Sequence, residues 1–303
     1  MRDKIKDDDY YCTWITVNRK CNLSSQWCYA RDYVITNNSV DMSLELMYNL
    51  IDLCSSCSVK KIIFIGGEPT LYPYLIDGIK HCKELSITAE IVTNGIALSN
   101  KSFVERLYHA GLSSVVLSIK GSNREDFYDT TGSDTFPLIQ ESIENLNSVG
   151  LKCVISAVLT SSFISHIEDV FKMLIQNNIK KIVFSFLKEF GSDNDNQTYY
   201  SSNLPNVILE QLYYKMNQSN LTFNNIDWTI ESCFPILGLS DEVEEFFANR
   251  FHYSCMHLKN APLVFDSLGN LLACNAYPNL TYGKYGIDFV THEELLNYLK
   301  TRY

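Results

Sequence analysis

The sequence predicts an α/β protein, a partial (β/α)6 TIM-like barrel followed by a small α+β C-terminal extension. Three observations carry that expectation. Short, β-branched apolar segments alternate with amphipathic stretches over the first two thirds of the chain. Glycines stand where amphipathic stretches stop. After Phe190 the rhythm gives way to the polar run Gly191-Ser192-Asp193-Asn194-Asp195-Asn196-Gln197.

Strands are expected at Tyr11–Val17, Lys61–Ile65, Ala89–Thr93, Ser114–Ile119, Cys153–Leu159 and Lys181–Phe186. Each reads as a strand buried on both faces. Helices are expected at Leu44–Cys57, Tyr74–Glu84, Lys101–Ala110, Leu138–Val149 and Ile164–Asn177, with Gly111 and Gly150 as stop signals. Gly121–Gly132 reads as a loop. Repeated β/α units imply a parallel sheet with helices outside, too short to close a full eight-stranded barrel. Pattern alone leaves an open partial barrel or a doubly wound sheet, and in both the ligands gather at the carboxyl ends of the strands.

Beyond the polar run, helices are expected near Leu204–Asn217 and Asp241–Phe251, with a hairpin from Leu263–Asp266 and Asn270–Cys274. A last helix, His292–Tyr303, is capped by Thr291. Residues 1–190 therefore form the barrel and residues 191–303 a smaller unit.

Hydrophobic residues make up 46% of the 303 and charged residues 20%, the balance of a soluble chain with a substantial core. No run reaches the roughly 18 to 20 apolar residues of a membrane span. The charged start, Met1-Arg2-Asp3-Lys4, lacks the apolar region of a secretory signal, so the expected address is the cytoplasm. A formal net charge of −10 repels phosphate backbones and argues against nucleic acid as a partner. Ten cysteines in that setting read as metal ligands or buried thiols rather than a disulfide framework.

Directly after the first strand stands Cys21-Asn22-Leu23-Ser24-Ser25-Gln26-Trp27-Cys28. This loop resembles the radical S-adenosylmethionine (SAM) superfamily, whose signature is Cys-x3-Cys-x2-Cys with an aromatic before the last cysteine. Cys21, Trp27 and Cys28 match, and Ser25 occupies the middle cysteine's place. The resemblance implies a [4Fe–4S] cluster on Cys21, the degenerate ligand position Ser25 and Cys28, with one iron left open for SAM. A serine hydroxyl gives up its proton far more reluctantly than a thiol of pKa about 8.5, so it is a weaker ligand.

One β/α unit later, Gly66-Gly67-Glu68-Pro69 ends the second strand. Two glycines let backbone approach a ligand closely, Glu68 offers negative charge to an ammonium, and Pro69 fixes the exit. In the resembled family this turn meets the SAM ammonium. Asn94 ends the third strand, and Ser118 and Lys120 end the fourth, where the resemblance places groups for the SAM ribose or carboxylate; for Asn94 a plain strand cap fits equally well. Ser156 and Lys188 are weaker candidates on the fifth and sixth strands. The likeness spans roughly residues 11 to 187.

Cys255, Gly269 and Cys274 around a Phe265-Asp266 hairpin resemble the start of the SPASM or twitch extensions that carry auxiliary iron–sulfur clusters. Cys233 is the natural third ligand. Zinc held by three thiolates and His252 or His257 is the alternative. Cys82, Cys153 and the pair Cys54 and Cys57 read as packing, and His81 and His109 as surface residues.

The resemblance implies reductive cleavage of SAM to a 5′-deoxyadenosyl radical, hydrogen abstraction from a peptide or small-molecule substrate, and a reductant such as flavodoxin or ferredoxin. Only about twenty residues precede the first motif, fewer than the ~80 of a small leader-binding domain, so a peptide would need another recognition surface. Ser25 keeps a second reading open: a degenerate or deliberately inactivated scaffold that binds a metabolite or partner without radical chemistry.

Overall fold

The β-branched runs pair in parallel because each is followed by a helix that returns the chain across the sheet. In the computed structural model, which describes residues 12–28, 40–187, 204–219, 223–232, 236–253, 262–275, 277 and 279–302, the six expected strands are neighbours in chain order. They are β1 (Cys12–Thr16), β2 (Lys61–Ile65), β3 (Thr88–Thr93), β4 (Leu112–Ile119), β5 (Lys152–Leu159) and β6 (Lys181–Phe186). Between them run α1 (Leu44–Ser56), α2 (Leu75–Glu84), α3 (Lys101–Ala110), α4 (Arg124–Thr131), α5 (Phe136–Ser148), α6 (Ser161–Ser165) and α7 (Ile167–Gln176).

Helix α4 corrects the loop expected at Gly121–Gly132. Asn123 caps it by accepting the Asp126 N–H at 3.0 Å, and Gly132, at φ 69°, stops it in the left-handed region. The double burial expected of the strands holds along β2, where Ile62, Ile63, Phe64 and Ile65 are all buried, and is corrected at β5 and β6. Burial alternates along β5 and β6, so one face is fully covered and the other half-exposed. Ile155, Ala157, Ile182 and Phe184 lie on the covered face, whose core also takes in Leu107, Ile143 and Leu174 from the helices. Val154, Ser156, Val158, Val183 and Ser185 lie on the other face.

The sheet is longer than six strands. Past residue 191, α8 (Pro205–Gln218) leads to β7 (Asp227–Ser232), parallel to β6, and α9 (Asp241–Phe247) leads to β8 (Phe251–Tyr253), parallel to β7. The helix expected through Phe251 therefore ends at Phe247, because the chain enters a strand four residues later. On the opposite side β9 (Leu263–Phe265) pairs in parallel with β1 and turns back through β10 (Asn270–Leu272) to β11 (Thr281–Lys284). The expected hairpin is made by Asp266, whose Oδ1 accepts the N–H groups of Leu268 and Asn270 at 2.9 Å each. Helix α10 (His292–Arg302) is capped at Thr291, whose Oγ1 accepts the Glu294 N–H at 3.2 Å, while the Glu294 carboxylate takes the Val290 and Thr291 N–H groups.

Among the described residues, eleven strands in the order β11-β10-β9-β1-β2-β3-β4-β5-β6-β7-β8 make one mixed, open sheet. Residues expected as a separate small unit thus extend both edges of the barrel sheet. Cys54, Cys57, Cys82 and Cys153 are buried as packing residues. His81 is half-buried rather than on the surface, held by the Asp52 carboxylate at 2.7 Å, and His109 is exposed. Among the described residues, no helix is long and apolar enough to cross a membrane.

Candidate functional site

The carboxyl ends of β1 to β4 meet at one mouth of the sheet, because parallel strands all point their ends the same way. The cysteine loop leaves β1 there. Leu23 is buried and anchors its start, and the Leu23 N–H donates to Cys21 Sγ at 3.4 Å. Ser25 is 6% exposed, its carbonyl accepts the Cys28 N–H at 3.1 Å, and Trp27 and Cys28 are half-buried beyond it. Burial pushes the Cys21 thiol above its ordinary value, and the negative charge of Glu68 adds to that rise.

The Gly66-Gly67-Glu68-Pro69 turn lies directly against the start of this loop. The Gly67 N–H donates to Asn18 O at 3.1 Å and the Glu68 N–H to Lys20 O at 2.6 Å. A Cβ on Gly66 would fall 2.2 Å from Asn18 Oδ1, and one on Gly67 2.3 Å from Lys20 O. Both glycines are therefore demanded by the exit of β1, a reason the sequence did not supply. Glu68 also departs from its expected part as an open charge. It is 1% exposed, and its Oε1 accepts from Thr70 N, Thr70 Oγ1 and Thr93 Oγ1 at 3.0, 2.6 and 2.7 Å. Its Oε2 accepts from Asn94 N at 2.8 Å. The carboxylate staples the exits of β2 and β3 together. Pro69 begins the short 3-10 turn that follows.

Asn94 turns toward the cysteine loop. Its Nδ2 donates to Asn22 Oδ1 at 2.7 Å and reaches Cys21 Sγ at 3.9 Å, while its Oδ1 accepts the Ile96 N–H. Lys120 completes the group. Its ammonium donates to Ser118 Oγ at 2.8 Å. Burial lowers its pKa, and the nearby Cys28, Cys21 and Glu68 push it back up. The two thiols, the glycine turn, Asn94, Ser118 and Lys120 are thus brought into one place. Ser156 sits beside Ser118 in the β4–β5 register.

The C-terminal candidates are not brought together among the described residues. Cys274 is half-buried just past β10 and His252 is exposed on β8; Cys233, Cys255, His257 and Lys188 lie outside the described residues. Among the described residues no three His, Cys, Asp or Glu side chains converge as a metal site. The donor set of the cysteine loop is two thiols and the Ser25 hydroxyl. It fits two corners of an iron–sulfur cube and puts a harder oxygen donor at the third.

Sequence reasoning missed Asn18 and Gln26, which hold the site from behind. Asn18 Nδ2 donates to Glu68 O at 2.9 Å. The Gln26 backbone N–H donates to Thr130 O at 3.0 Å and its Nε2 to Asp129 O at 2.7 Å, tying the loop to the last turn of α4. The pattern Asn123-x-x-Asp126 was the one legible sign of α4, an N-cap followed by an acidic residue.

Residues 15–174 match the profile described as the radical SAM superfamily. A GTP 3′,8-cyclase of Clostridium perfringens is 30% identical over 166 residues, 54% of this chain and 50% of that one. The Fe-coproporphyrin III synthase of Methanosarcina barkeri is 28% identical over 188 residues, 61% of this chain and 46% of that one. The chain thus spans about half the length of these curated relatives. Among solved structures, anSMEcpe with bound AdoMet superimposes with a TM-score of 0.68 at 20% identity, over 94% of this chain and 80% of that one. Streptococcus suis SuiB bound to its precursor peptide SuiA gives 0.64 at 21% identity, over 91% of this chain and 62% of that one.

Proposed function

Because the chain belongs to the radical SAM superfamily, we propose that it binds SAM beside a [4Fe–4S] cluster on Cys21 and Cys28, with Ser25 as the oxygen donor between them, and acts as a radical SAM oxidoreductase that modifies a peptide. The observation that carries this reading is that the half-buried Lys120 lies within electrostatic reach of both thiols, whose loop begins against the Gly66–Pro69 turn. Cluster and SAM, when bound, supply reductive cleavage of the sulfonium C–S bond and hydrogen abstraction.

The chain's own residues do the rest. Cys21 and Cys28 hold iron, and the Lys120 ammonium nearby works against the burial that raises the Cys21 thiol. Glu68 acts through the backbone, fixing the glycine turn so that its carbonyls are presented to the SAM ammonium while its own carboxylate stays occupied. Lys120, steered by Ser118, takes the SAM carboxylate. The half-exposed face of Val92, Val116, Val154, Val158, Ser156 and Ser185 forms the floor for the substrate. Those six side chains are neutral and small, which suits an extended peptide, and a peptide-bound structure stands among the neighbours as a GTP 3′,8-cyclase stands among the relatives. A flavodoxin or ferredoxin supplies the electron. Cys233, Cys255 and Cys274, within residues 191–303, would hold an auxiliary iron–sulfur cluster, with zinc as the alternative metal.

Ser25 favours a second reading, a scaffold that binds SAM or a related metabolite without cleaving it. Anaerobic reconstitution with iron and sulfide, then dithionite, SAM and chromatography for 5′-deoxyadenosine, separates the two. The wild type is expected to form 5′-deoxyadenosine, Cys21→Ala to form none, and Ser25→Cys to work faster by about tenfold, the equivalent of 1.4 kcal/mol in the barrier. SAM binding without product in both the wild type and Ser25→Cys would establish the second reading.

A further inference from the structure

The cysteine loop is fastened at both ends by groups outside its own ligand positions. At its start, Asn94 Nδ2 holds Asn22 Oδ1 at 2.7 Å. Next to Ser25, Gln26 makes two bonds to the last turn of α4, backbone N–H to Thr130 O and side-chain Nε2 to Asp129 O, at 3.0 and 2.7 Å. These carbonyls belong to the end of a helix, where intrahelical partners run out and outside donors are taken up readily.

Helix α4 is itself pinned. Asp126 is 7% exposed; its Oδ2 accepts Ser122 N and Ser122 Oγ at 2.7 and 2.9 Å, and its Oδ1 accepts Ser162 Oγ from α6 at 2.7 Å. Gly121 lets the chain fold back onto this helix, since a Cβ there would lie 2.3 Å from Phe127 N. A continuous path thus runs from α6 through Asp126 and α4 to Gln26, one residue from the position that lacks a thiol.

We propose that Gln26 is a positioning residue, which with α4 and Asp126 sets the cysteine loop in its ligating shape before any metal arrives. In a chain with a thiol at position 25, three strong metal bonds would shape the loop on their own. With two thiols and a hydroxyl, more of that ordering falls to the protein, and a donor at position 26 supplies it. The inference rests on the proposed cluster site for its purpose, and not for its geometry.

Hydrogen exchange of residues 21–28 in the purified full chain, before iron is added, tests it. Gln26→Ala and Gln26→Glu both remove the side-chain donor to Asp129 O and leave the backbone bond to Thr130 O, and Glu keeps the size. Gln26→Lys restores a donor of similar reach. Exchange at the loop amides is expected to quicken by roughly tenfold in the Ala and Glu variants and to stay near wild type in Lys, with global unfolding unchanged, because a local opening is affected rather than the whole fold. Ser162→Ala, which loosens Asp126 without emptying a buried carboxylate site, is expected to quicken exchange in the same amides. After reconstitution, the Ala and Glu variants should surrender iron to a chelator faster than the wild type and Lys. Equal exchange in wild type, Ala and Glu would overturn the proposal. A chain that takes up no iron while the exchange pattern holds would sink the cluster reading and leave the loop clamp standing.

Discussion

Gly67 shows how a residue can be found for one reason and needed for another. The pair Gly66-Gly67 was legible because two adjacent glycines at a strand end are conspicuous, and the close approach they were expected to permit exists. The approaching group is the chain itself, Lys20 O at 2.3 Å from a Gly67 Cβ. Gly67→Ala is expected to destabilise the fold by roughly 1–3 kcal/mol, the usual penalty of forcing a methyl group into packed structure, read as a lower urea midpoint. Glu68 was legible as a residue of the site but its hydrogen bonding was not, since two of its four contacts, from Thr93 Oγ1 and Asn94 N, cross to the exit of β3 and the other two, from Thr70, lie within its own turn. Glu68→Gln would set an amide N–H against donors it cannot accept from. A loss of about 3 kcal/mol, the cost of unmaking charged buried hydrogen bonds, is expected from the same urea experiment. Near-wild-type stability would show that the carboxylate is free for a ligand instead.

At the scale of elements, the first six strands and the longer helices were legible from period alone, whereas α4 and the three strands β7, β8 and β11 were not. α4 is short, mostly polar and buried at only a few positions, so it leaves no apolar stripe to read. β7, Asp-Trp-Thr-Ile-Glu-Ser, carries charges on its exposed face, and only pairing with β6 makes it a strand. The packing thiols of α1 and α2 have a testable consequence. Burial lifts Cys82 from an ordinary 9.0 to about 12 and Cys57 to about 11. Between those values the unfolded chain has released its protons and the folded chain has not. Stability is therefore full below pH 9.0 and falls as pH rises toward 12, by roughly 1.4 kcal/mol per pH unit for each such thiol. Urea midpoints measured from about pH 8.5 to 11 should decline less steeply in Cys82→Ala than in the wild type, by that one thiol's share. An unchanged slope would mean that Cys82 is not sealed from solvent.

Across the whole molecule, the sheet decides where chemistry can occur. Nine neighbouring strands, from β9 through β1 to β8, run parallel, so their carboxyl ends share one rim. Helices cover one face and leave the other half-open. The rim brings Cys21, Cys28, Gly67, Asn94 and Lys120 together from four strands and more than ninety residues of sequence; the open face gives a substrate somewhere to lie. At the β11 edge, Tyr298 OH donates to Tyr282 O at 2.7 Å and Asp288 takes the Lys284 N–H at 2.8 Å, occupying two backbone groups that a further strand would need. The central claim is that two thiols and a glycine turn form a single site for a cluster and SAM. Electron paramagnetic resonance of the reconstituted, dithionite-reduced protein, recorded with and without SAM, tests it most directly. The expected result is a reduced-cluster signal that changes when SAM is added and disappears in both Cys21→Ala and Cys28→Ala. A signal indifferent to SAM, or one that survives loss of either thiol, would contradict it.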